Sequence, residues 1–100
     1  MAVVRVGPLP ESALEAAAEF HARVLPELVP VEEDLVLVFP SAAYDHRGWR
    51  LAAVQGLARA AAPLRVNGIV GDDEAATAQA ARWLDQAPGI TGQVLVVEPG

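Results

Sequence analysis

Between positions 41 and 46 the sequence carries a hydroxyl, a phenol, a carboxylate and an imidazole: Ser41, Tyr44, Asp45 and His46. Imidazole is the side chain whose ordinary titration falls near neutral pH, so His46 could exchange protons with Ser41 or Tyr44 in acid–base chemistry. The spacing fits no nucleophile elbow, which sets its serine between glycines at fixed offsets. A structural reading competes and is preferred: Ser41 and Asp45 act as turn and N-cap residues, and His46 stands in solvent in the first helical turn. Ser41, Tyr44 and His46 therefore stay candidates, and no catalytic residue is assigned. His46 with Asp72 and Asp73 would offer imidazole and carboxylate to a divalent ion. Acidic residues equally suit the positive end of a helix dipole, so no metal is expected there. His21 falls on an apolar helical stripe, where a hydrogen-bonded core or interface histidine is commoner than a ligand.

These residues need elements to position them, and the hydropathy pattern supplies a β-α-β-α-β-α-β order. Four short apolar runs, 2–6, 35–39, 66–70 and 94–97, are mostly continuous rather than alternating. That is how parallel strands covered on both faces read. A first helix opens at Ser12 with a Ser-x-x-Glu capping box to Glu15. It carries two apolar stripes, Leu14, Ala18, His21 and Leu25 beside Ala13, Ala17, Phe20 and Val24, and Pro26 and Pro30 end it. A second helix runs from Asp45 to about Ala62, with Trp49, Ala53, Gly56 and Ala60 on one stripe and Val54, Leu57 and Ala61 on the next. A third opens with Asp72, Asp73 and Glu74, turns Ala76, Ala80, Trp83 and Ala87 inward, and stops at Pro88-Gly89.

Length and composition bound the function. One hundred residues close a single core, so the chain is read as one domain. Hydrophobic residues make up 53%, which suggests an apolar surface covered by another subunit. A formal charge of −6, from 7 basic and 13 acidic residues, opposes nucleic-acid binding. There is no cysteine for a disulfide or thiolate site, and no apolar run of the roughly 18 residues that span a bilayer. A cytoplasmic protein without membrane contact is the expectation.

Three blocks, Ala52-Ala53-Val54-Gln55-Gly56-Leu57-Ala58-Arg59, Leu64-Arg65-Val66-Asn67 and Ile90-Thr91-Gly92-Gln93-Val94-Leu95-Val96-Val97, resemble successive blocks of the short-chain dehydrogenase/reductase family in order and approximate spacing. The resemblance implies a truncated Rossmann-like α/β fold, about four parallel strands with three helices, equivalent to the C-terminal half of a family member. It sets Ser41 at or beside the family's catalytic serine. The family's Tyr-x-x-x-Lys motif ends just before the Ala-Ala-Val block, which puts Arg47 at the tyrosine position and Leu51 at the lysine position. Both catalytic roles are lost, and Tyr44 is displaced by three residues. The family's Pro-Gly after the Arg-Val-Asn strand is replaced by Gly71-Asp72. The glycine-rich pyrophosphate turn belongs to a preceding βα unit, and Gly7-Pro8 does not reproduce it, so no cofactor is expected.

The resulting expectation is a non-catalytic, half-length subunit that forms a homodimer or higher oligomer, or binds a full-length relative. The interface is expected at Phe20, Val24, Trp49, Ala53, Gly56, Leu57 and Ala60, on the first two helices, through which family members commonly dimerise. A small-molecule-binding protein or oxidoreductase-related enzyme with its site completed across a dimer, and a purely structural remnant, are the alternatives. Ligands of open α/β sheets bind beyond the carboxyl ends of the strands, here Gly7-Pro8, 41–47 and 71–74. One face of the sheet is expected to be only partly covered by the third helix.

Overall fold

A computed structural model describes residues 1–98 of the chain. Four strands, β1 (Ala2–Arg5), β2 (Leu35–Phe39), β3 (Val66–Val70) and β4 (Val94–Val96), pair in parallel in the order β1-β2-β3-β4. The continuous apolar runs behave as parallel strands do: every residue of β2 is buried, because both faces are covered.

The first helical segment, α1 (13–28), has the expected cap, with the Glu15 amide donating to Ser12 Oγ at 3.3 Å. Pro26 does not end it. The segment widens into a π turn over Phe20–Val24 and continues through Leu25–Leu28. The proline ring clashes with the carbonyl four residues back, and the wider turn relieves that clash while the helix goes on. The second helix, α2 (Arg47–Ala61), follows a 3₁₀ turn at Tyr44–His46, so Asp45 precedes the helix and is not its N-cap. The third, α3 (Glu74–Asp85), is capped by Asp73, whose carboxylate accepts from the Ala76 amide at 2.8 Å.

Alternate residues of each strand face opposite layers. Leu35, Leu37, Phe39 and Val66 pack with Phe20 of α1 and Val54 and Leu57 of α2. Val36, Val38 and Ile69 pack on the other face with Ala81 and Leu84 of α3. The strands step in one direction while α1 and α2 lie on one face and α3 on the other. The β3–α3–β4 connection is therefore opposite in hand to the two before it, and the general rule makes the first two right-handed.

The phase of α3 differs from expectation. Thr77, Ala81 and Leu84 are buried and Trp83 is 56% exposed. An alanine-rich helix carries little phase information, and buried Thr77 satisfies its hydroxyl by donating locally to the Glu74 carbonyl at 3.0 Å and accepting from Arg5 Nη2, across the sheet edge, at 3.2 Å. The next position, Leu84, then fills the core. Coverage of this face is partial: Val3 of β1 is 49% exposed beside α3.

Arg65 and Asn67, which gave the third strand its distinctive sequence, are structural ties. Arg65 bonds Asp34 through Nε at 3.1 Å and through Nη2 at 2.8 Å. Its Nη1 donates to the Leu84 and Ala87 carbonyls at 2.8 and 2.9 Å, at the negative end of α3. Buried Asn67 donates to the Ile90 carbonyl and accepts from the Gln93 amide, each at 3.0 Å, and the Val66 amide donates to Thr91 Oγ1 at 3.1 Å. These bonds fix the segment that leads into β4.

Candidate functional site

The carboxyl ends of β2, β3 and β4 open beside the start of α2, as topology requires of an α/β sheet. The strand ends stop pairing there and the chain turns through 40–46, leaving a cavity of about 450 Å³. Ser41, Tyr44, Arg47 and Leu51 line its loop and helix side, and Val70, Val94 and Val96 line its floor. Ser41, Arg47 and Leu51, which the resemblance set separately at the family's catalytic positions, line this one cavity. No acid–base constellation results.

His46 is the reason. Far from being solvated, it is 4% exposed. Its Nε2 lies 2.8 Å from the Glu11 carbonyl, which can only accept, and its Nδ1 lies 3.2 Å from the Trp49 indole nitrogen, which can only donate. Both constraints select the neutral Nε2–H tautomer and occupy both ring nitrogens. His46 ties the start of α1 to the start of α2 and has no nitrogen left for Ser41, Tyr44 or a metal.

Ser41 and Asp72 form a second tie. The Ser41 amide donates to Asp72 Oδ1 at 3.0 Å, joining the loops after β2 and β3. The hydrogen bonds from Ser41, its amide foremost, hold the Asp72 carboxyl below the usual carboxylate range, and the Arg50 charge adds to this. Asp73 is committed to its cap. Among the described residues no three histidine or acidic side chains gather as a metal-binding group. His21 is exposed and bonds the Ala17 carbonyl at 2.8 Å, so it belongs neither to the core nor to a site.

Arg50 is the residue that sequence reasoning missed. It is 4% exposed and lines both this cavity and a neighbouring one beneath the 40–43 loop. Nη1 donates to the Pro40 carbonyl at 2.8 Å, and the guanidinium stands 4.9 Å from the Phe39 ring centre and 5.7 Å from that of Trp49. Nε is buried without a partner. Burial pushes this guanidinium below the usual arginine range, with Asp72 opposing the shift. Helical spacing was the available signal, because Arg50 falls four and seven residues before the core residues Val54 and Leu57.

Much of the expected interface lies inside one chain. Phe20, Ala53 and Leu57 are 0%, 8% and 5% exposed, facing the sheet, and Val24 and Trp49 are half-buried against the same core. Broad apolar helices bury their first stripe against their own sheet, so these residues offer little to a second chain. Gly56 and Ala60 are on the outer side, where a Cβ on Gly56 would meet nothing within 4 Å.

No helix among the described residues is long and apolar enough to cross a membrane. Comparison with protein families matches residues 4–97 to the family described as short chain dehydrogenase-like protein. No curated protein and no solved structure gives a match.

Proposed function

This chain belongs to the short chain dehydrogenase-like family, and on that premise we propose that it is a non-catalytic cytoplasmic subunit that acts by association, with itself or with a full-length relative. The observation that carries the reading is the lining of the cavity, which includes Arg47 and Leu51, the residues that the resemblance sets at the family's tyrosine and lysine positions. Neither supplies the proton donor or the positioning ammonium that the family's chemistry uses. The turn after β1, Gly7-Pro8, leads to a serine-capped helix without the glycine pattern that cradles a pyrophosphate. Titration calorimetry with NAD and NADP is expected to give no saturable heat, and an oxidoreductase assay no turnover. A dissociation constant in the micromolar range for either nucleotide would overturn the reading.

Support for association comes from the outer side of the first two helices. Leu14 is 82% exposed, Leu51 is 37% exposed, and Ala52, Gly56 and Ala60 give α2 a low profile between its long side chains. A twofold interface places the same patch on both subunits. Gly56→Glu would bring two carboxylates together in it and is expected to convert an oligomer at roughly tens of micromolar into monomers, measured by sedimentation. A wild-type chain already monomeric at that concentration would remove the association half of the proposal.

A further inference from the structure

We propose that the cavity at the carboxyl ends of β2, β3 and β4 binds an amphipathic monoanion, a small aliphatic carboxylate whose headgroup lies between Arg50 and Arg47 and whose chain lies on Val70, Val94 and Val96. This goes beyond a subunit role and does not depend on it.

Arg50 makes the first case. Arg50 is 4% exposed as a residue, and its charge is met only at a distance by Asp72, so closer acceptors would offset a desolvation that is expensive. Its guanidinium carries five donors, and among the described residues it makes one hydrogen bond and no salt bridge. Nε is the one buried side-chain nitrogen or oxygen without a partner among the described residues.

The start of α2 makes the second, independent case. This end of a helix carries partial positive charge, yet its first turn holds Arg47 and Arg50 and no acidic residue, and His46 provides no side-chain cap. Two cations at a positive helix end are unfavourable beyond what Asp72 and the preceding Asp45 offset, and a bound anion would make every member of the set favourable. Arg47, stacked on the Tyr44 ring at 4.2 Å, stands at the cavity's edge.

Charge and shape select the ligand class. The two arginines are the cationic groups of the lining, and Asp72 near Arg50 and Asp45 two residues before Arg47 already offset part of their charge, which suits a monoanion better than a phosphate dianion. Beside Ser41, Tyr44 and His46 on the loop side, the remaining lining is alanine, leucine and valine, which suits an aliphatic chain.

Calorimetry on the full chain with octanoate, 1-octanol and inorganic phosphate tests this. Octanoate is expected to bind saturably, and octanol and phosphate at least about tenfold more weakly, because each lacks one half of the recognition. Arg50→Met keeps the stem and removes the buried charge, a change that folded proteins commonly tolerate. It is expected to weaken octanoate by about tenfold or more with the unfolding temperature retained. Arg47→Gln, at an exposed position, is expected to weaken it by about threefold and guards against a folding defect in the first variant. Absence of saturable octanoate binding, equal binding of octanol or phosphate, or unchanged affinity in Arg47→Gln and in folded Arg50→Met would each overturn the site. Dinucleotide binding and sedimentation are read separately, so its failure is distinct from failure of the subunit role.

Discussion

Arg65→Met is expected to lower the free energy of unfolding by about 2–4 kcal/mol in urea titrations at neutral pH. Methionine retains the aliphatic stem but strands the Leu84 and Ala87 carbonyls at the end of α3 and removes the guanidinium from Asp34. Charged hydrogen bonds of this kind contribute about 1.5–3 kcal/mol each, and breaking a buried pair costs about 3–5. Asp34 remains 30% exposed, so water recovers part of its loss and the lower range applies. A loss below about 1 kcal/mol would mean that the helix end is satisfied by solvent. The pair also has a pH signature. Asp34 is held below its ordinary value, first by the Arg65 amide, which bonds its Oδ1 at 2.8 Å, and then by the side chain. Its stabilisation is therefore fully present above the unfolded carboxyl value of about 3.9 and is lost as the pH falls through the lower folded value. Asp34→Asn should remove this component of acid sensitivity, whereas Arg65→Met should leave the part carried by the amide.

Phe20→Ala is expected to cost about 3–5 kcal/mol, the usual consequence of emptying a fully buried aromatic position. The Phe20 ring packs at 5.3 Å from Trp49 and 6.0 Å from Phe39, so the cavity left behind is walled by rigid groups that collapse poorly. The loss should persist at dilutions where the chain is monomeric, because Phe20 is covered by its own sheet. Gly56→Glu should lose its effect there. Denaturant unfolding at two protein concentrations separates the two positions, and a Phe20→Ala loss that vanished on dilution would return this residue to an interface.

The two outcomes show where sequence reading carries and where it stops. The central β2 was legible because burial on both faces favours an apolar run, and the Ser12 cap because its hydrogen bond is local. Ser41, Arg47 and Leu51, which the family resemblance singled out, line one cavity. What could not be read was which apolar stripe meets the sheet. Phe20 and Leu14 are equally apolar in sequence, yet one is enclosed and the other is 82% exposed. Trp83 lost the core to Leu84 for a related reason, since size and apolarity do not fix the rotation of a helix made mostly of alanine. His46 was misread because its burial depends on the Glu11 carbonyl, 35 residues away in sequence. Long-range acceptors of this kind leave no local pattern.

Sheet order and chain order coincide, and this bears on how the molecule reaches its native state. Among the described residues each strand after the first pairs with the strand made just before it. Each closure spans one helix only, which keeps the entropic search short by the standards of parallel sheets. During synthesis β1, α1 and β2 can dock as soon as they emerge, and β3 and β4 then add along one growing edge. The topology is thus compatible with vectorial folding, with α3 emerging before β4 and closing the opposite face as that last strand pairs.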